Sequence, residues 1–121
     1  MDATTCNAFE ANGVIAGGPE IVVIETTNRC NLNCIMCYRR EHLKDIGDMD
    51  LGLFKEIAQS VKGARHVCCH GGGEPLLHPR IFDMIDYASK ACDPETLSIT
   101  TNGILLDRNV AGRLRRSRLN T

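Results

Sequence analysis

Residues 21–37 read IVVIETTNRCNLNCIMC, an apolar run that passes directly into a loop holding three cysteines. Ile21-Val22-Val23-Ile24-Glu25-Thr26 is β-branched with little polar alternation, the pattern of a strand covered on both faces. The loop runs on through Asn28 to about Asp50. Beyond it, Leu53, Phe54, Ile57 and Val61 fall at helical spacing over residues 51–62, with Asp50 placed to cap the start and Gly63 to end it. His66-Val67-Cys68-Cys69 is a second short strand, broken by Gly71-Gly72-Gly73. A second helix is expected from near Pro79, with the stripe Ile81, Met84, Ile85 and Ala88, ending around Cys92-Asp93-Pro94. Leu97 to Thr101 forms a third strand stopped by Asn102-Gly103. Asp107 then caps a third helix that carries Val110, Ala111 and Leu114 and crowds arginines onto its other faces. Three successive strand-helix units, joined by connections long enough for crossovers, predict an α/β fold with a parallel sheet. Residues 1–20 mix polar residues with Gly and Ala and are expected to be a flexible leader, leaving 21–121 as the folded unit.

Composition narrows the function. The 121 residues are 43% hydrophobic and 24% charged, an ordinary globular balance, and 14 basic side chains against 15 acidic ones give no global attraction to nucleic acid or to an anionic membrane. No apolar run is long enough to span a bilayer, and the N-terminus lacks the basic and apolar segments of a signal peptide, so a cytosolic location is expected. In a reducing compartment the seven cysteines point to metal or redox roles rather than to disulfides.

Cys30, Cys34 and Cys37 place three thiolates within one short loop, where every sulfur can turn toward a single face of a metal cluster. Thiolates select zinc, copper(I) or iron-sulfur clusters over hard cations. The loop leaves the C-terminal end of a parallel strand, where α/β folds gather their active sites. A zinc site completed by His42 or His70 is the simpler alternative, but no second CxxC or HxxxH pair accompanies the three cysteines. An electron-carrying cluster would normally need a fourth cysteine at a suitable spacing.

The segment CNLNCIMC, residues 30–37, resembles the CxxxCxxC cluster loop of radical S-adenosylmethionine enzymes. That resemblance implies a partial TIM barrel of six βα units with the loop after strand one. It further implies a [4Fe-4S] cluster on Cys30, Cys34 and Cys37 whose fourth iron is chelated by the amino and carboxylate groups of S-adenosyl-L-methionine. Position 36 commonly holds an aromatic in the family and here is Met36, a candidate contact to adenine. Gly71-Gly72-Gly73-Glu74-Pro75 follows strand two, where glycine permits close backbone approach and positive φ. It is similar to the family's GGEP motif, which implies that Gly72, Gly73 and Glu74 bind the cofactor's ammonium group. Thr100-Thr101-Asn102-Gly103 is first of all a turn; the resemblance to a family TNG segment adds Thr101 and Asn102 as lining for the cofactor or substrate pocket.

The activity so implied is one-electron reductive cleavage of the sulfonium to a 5'-deoxyadenosyl radical that abstracts hydrogen from a small-molecule or peptide substrate. An electron donor such as reduced flavodoxin or ferredoxin is implied with it. The apolar shell of Leu32, Ile35 and Met36 would tune the cluster. No general acid or base is assigned. The resemblance covers about residues 20 to 121, the first half of the family's barrel, and a half barrel is expected to leave open strand edges and an uncovered apolar interior. A non-catalytic module stabilised by zinc or a cluster is the alternative reading. Cys68 and Cys69 read as core residues, one of them turned inward by strand alternation. Cys6, Cys92, His66 and His78 carry no motif.

Overall fold

A computed structural model describes residues 18–120. Most of the expected leader, Cys6 included, lies outside those residues. The order of elements is β1 (Ile21–Val23), α1 (Arg39–His42), α2 (Leu51–Ser60), β2 (His66–Cys68), a 3-10 turn at Pro75–Leu77, α3 (Ile81–Ala91), β3 (Thr96–Ser98) and α4 (Arg108–Arg116). The strands form one parallel sheet in the order β1-β2-β3, with Val22 opposite Val67 and Val67 opposite Leu97. Sequential order combined with crossover helices on one face is the progression of a βα barrel, since a doubly wound sheet would send its helices to both faces.

The core lies between the sheet and α2 and α3. Phe54, Met84 and Ile85 are fully buried there against Ile24, Val67 and Leu97, and each such side chain contributes about 1.5–3 kcal/mol of burial. The Asp50 carboxylate caps α2 by accepting from the Gly52 and Leu53 amides at 2.7 and 3.2 Å. Gly63, at φ 91°, turns the chain toward β2. Asp107 caps α4 through the Val110 amide at 2.7 Å.

Several expectations are corrected. Leu53 is 49% exposed, because Phe54 and Ala58 supply the buried face of α2. Pro79 precedes α3 rather than opening it: His78 Nδ1 takes the Arg80 amide at 2.9 Å, which inserts a turn before Ile81. Strand β1 is covered on one face only. Val22, Ile24 and Thr26 turn toward the helices, while Ile21 and Val23 stay exposed. On β2 and β3 the open face carries His66, Cys68, Thr96 and Ser98, so the uncovered interior is polar there and apolar only along β1. The free edge of β3 is partly occupied as well. Asn120 donates its amide to the Leu97 carbonyl at 3.1 Å and accepts the Leu97 amide on Oδ1 at 2.6 Å.

Candidate functional site

The cysteine loop leaves and returns through a tied neck. Thr27 and Asp48 form an antiparallel bridge, the Met49 amide reaches the Thr26 carbonyl at 2.8 Å, and Asn28 holds the Gly47 amide on Oδ1 at 2.7 Å. Arg29 makes two parallel bonds to Asp48 at 2.9 Å each and a third, also at 2.9 Å, to the Leu77 carbonyl, which locks the residue next to Cys30 onto the turn after β2. The short helix α1 inside the loop leaves no trace in the apolar periodicity, because four residues carry no repeat. Arg39 secures it by donating to the Asn28 carbonyl at 2.9 Å.

The Arg29 guanidinium, by hydrogen bonding, holds the Asp48 carboxyl below the usual carboxylate range, against an opposing effect of burial. A lowered folded value means that the carboxylate's stabilisation is complete above the unfolded value near ~3.9 and disappears as pH falls through the folded one. The two side chains are 39% and 28% exposed, so screening limits the pair to about 1 kcal/mol or less. Asp48→Asn is expected to lower the urea midpoint at pH 7 and to match the parent once pH drops well below 4. Equal midpoints at pH 7 would refute the anchoring role.

Beyond the neck the loop is open. Cys34 is exposed and Cys30 and Cys37 are half-buried, all three as free thiols, and Ile35 and Met36 stand 84% exposed. No three His, Cys, Asp or Glu side chains among the described residues converge to hold a metal ion. The thiols therefore share one loop without a closed ligand set. His42 ends α1 on the surface, and His70 contacts Thr100 at 3.4 Å.

The glycine loop packs against that neck. None of Gly71, Gly72 and Gly73 has positive φ, so they serve close approach rather than a left-handed turn. A Cβ on Gly73 would overlap the Thr27 and Arg29 carbonyls, and one on Gly72 would overlap the Tyr38 hydroxyl. The Gly72 amide donates to Glu25 at 2.5 Å and the Glu74 amide to the Arg29 carbonyl at 2.7 Å.

Glu74 is 2% exposed, and its carboxylate accepts from Leu76 N at 3.0 Å, Thr101 Oγ1 at 2.6 Å and Asn102 N at 2.7 Å. It thus joins the loops after β2 and β3. Gly103, at φ 77°, completes the Asn-Gly turn. Asn102 reaches on to the cysteine loop, where Nδ2 lies 2.8 Å from Asn31 Oδ1 and 3.8 Å from Cys30 Sγ. Met36 stands apart from these contacts, at the exposed tip.

The remaining cysteines divide as strand alternation requires. Cys69 is fully buried, and burial first, then the neighbouring Cys92 and Cys68 thiols, push its pKa up to about 12. Burial also raises Cys92, whose Sγ donates to the Ala58 carbonyl at 3.2 Å. Cys68 faces the open side and receives a bond from Ser98 Oγ at 3.2 Å. In native reduced protein, iodoacetamide is expected to label Cys34 fastest and to spare Cys69 and Cys92 until denaturant is added, because the thiolate is the reactive form. Peptide mass spectrometry reads the order, and early labelling of Cys69 would contradict the packing.

Comparison with known proteins places this arrangement among relatives. A family model described as the radical SAM superfamily matches residues 24–121. The chain is 40% identical over 86 residues to the tungsten-containing aldehyde ferredoxin oxidoreductase cofactor-modifying protein of Pyrococcus furiosus, covering 69% of this chain and 24% of that protein. It is 33% identical over 93 residues to the GTP 3',8-cyclase of Chlorobaculum tepidum, covering 75% and 28%. Among solved structures, BtrN in complex with AdoMet and 2-DOIA superposes with a TM-score of 0.70 at 25% identity, covering 80% of this chain and 41% of that one. The chain spans about a quarter of the length of these curated relatives.

Proposed function

The chain belongs to the radical SAM superfamily, and from that premise we propose that it carries the cluster- and cofactor-holding part of an enzyme that cleaves S-adenosylmethionine reductively. Members of the superfamily use a [4Fe-4S] cluster and S-adenosylmethionine. The donor chemistry fits: three free thiols on one loop, open at its tip and anchored at its neck, can ligate three irons and leave the fourth without a protein ligand. Held by Cys30, Cys34 and Cys37, a bound cluster would supply one electron for cleavage of the sulfonium's carbon-sulfur bond, releasing methionine and a 5'-deoxyadenosyl radical for hydrogen abstraction from a small-molecule or peptide substrate.

The residues contribute position and exclusion. Cys30, Cys34 and Cys37 hold the metal group; Arg29 and Asp48 fix the base of their loop. Gly72 and Gly73 bring the backbone after β2 against that base, where a larger side chain would fill the space. The ammonium end of the cofactor is assigned to the Gly72-Gly73-Glu74 segment, with Thr101 and Asn102 lining the same side and Met36 toward adenine. The buried Glu74 carboxylate does its part by orienting the two loops. An external one-electron donor of the flavodoxin or ferredoxin kind and a cytosolic setting complete the proposal.

The observation that carries this reading is the meeting of three strand-end loops, each with its motif, at one end of the parallel sheet. The test is anaerobic reconstitution with iron and sulfide, followed by electron paramagnetic resonance of the reduced protein with and without S-adenosylmethionine. A [4Fe-4S] signal that changes with the cofactor is expected. Uptake of zinc alone, or a cluster blind to the cofactor, would leave a metal-stabilised module instead.

A further inference from the structure

Asn102 is held by more bonds than a turn requires. Its backbone amide donates to Glu74 Oε2 at 2.7 Å, and its Oδ1 accepts the Ile104 amide at 3.0 Å. The second bond identifies the oxygen end of the side-chain amide, so Nδ2 is the end that faces Asn31 Oδ1 at 2.8 Å and Cys30 Sγ at 3.8 Å. Both Nδ2 protons are thereby directed into the cysteine loop. The anchor behind it is stiff, because Glu74 is 2% exposed and also holds Thr101 Oγ1 and the Leu76 amide.

We propose that Asn102 is a positioning residue for Cys30 that sets the reduction potential of the metal group held there, through a hydrogen bond from Nδ2 to the Cys30 sulfur. The inference rests on the function proposed above and goes beyond pocket lining. A donor at a ligand sulfur stabilises the state with more negative charge on that sulfur, and hydrogen bonds to sulfur are among the determinants of iron-sulfur potentials. With Asn102 present the added electron is easier to place; without the donor the couple moves to more negative potential. Glu74, which has no atom on the cysteine loop's sulfurs, acts one step behind by fixing the Asn102 backbone.

Two uncharged variants of the full chain test this. Asn102→Leu removes the donor, and Asn102→Ser removes its reach while its hydroxyl can still accept the Ile104 amide and keep the turn. Each is reconstituted with iron and sulfide and titrated potentiometrically without S-adenosylmethionine, the reduced cluster being read by electron paramagnetic resonance. Both are expected to keep full iron content. At a fixed potential the reduced-to-oxidised ratio should fall by about threefold, close to 30 mV for a one-electron couple. If only the serine variant folds, its midpoint decides. Unchanged midpoints at full iron content overturn the proposal, as does loss of cluster uptake in both variants, which would make Asn102 a purely structural residue. A parent chain that takes up no cluster overturns the function reading together with this one, whereas a parent that loads and responds while the variants do not shift overturns this inference alone.

Discussion

Cys34→Ser is expected to fold as the parent does and to lose the cofactor-responsive cluster altogether. Cys34 is exposed at the open part of its loop, so its thiol contributes nothing to the apoprotein core. The stability of that region resides in the neck, in the Thr27–Asp48 bridge and the Arg29 contacts, none of which the substitution touches. The unfolding free energy of the metal-free variant, read from urea denaturation, should match the parent to within about 0.5 kcal/mol, the usual range for surface changes. Cluster binding is another matter, because a hydroxyl is not a soft ligand and two thiolates cannot hold three irons. Reconstituted iron content and the electron paramagnetic resonance response to S-adenosylmethionine should both collapse. Retention of a full cofactor response would show that the ligand set lies elsewhere, and a large drop in apoprotein stability would show that the loop is part of the core.

Elements with a strong period are legible in the amino-acid sequence. Asp50 and Gly63 bracket α2 because capping and positive φ are chemical properties of single residues, and Cys68 and Cys69 separate to opposite faces because strand geometry leaves no choice. The three strand-end motifs are legible as well, since each has a fixed spacing. Long-range ties are not. Arg29 with Asp48, Glu25 with Gly72, and Glu74 with Asn102 join residues 19, 47 and 28 positions apart, and nothing local says which residue each one meets. The same blindness explains the glycine loop. Its local sequence suggests permissive φ, whereas the role of its glycines depends on backbone from another loop that only the fold brings near.

Gly73→Ala tests that role, and is expected to cost about 3 kcal/mol, combining overpacking with the loss of one short backbone bond. The new methyl would meet the carbonyl oxygens of Thr27 and Arg29, which are backbone atoms, and Thr27 is itself 3% exposed and bonded to Asp48 at 2.7 Å. Neither carbonyl can rotate away without opening the neck. Gly72→Ala presents the contrasting case: its methyl meets the hydroxyl end of Tyr38, a side chain 55% exposed that is free to swing out, and the cost should stay below about 1 kcal/mol. Gly71→Ala should fall between, since it meets Glu25 as far back as Cβ, at 2.6 Å. Urea denaturation of the three variants gives the order. Equal losses at Gly72 and Gly73 would refute the packing argument. If the order holds, Gly73 is required for space, and the consequence reaches the metal loop, because pushing the Arg29 carbonyl away from the Glu74 amide, now 2.7 Å apart, moves the backbone directly preceding Cys30.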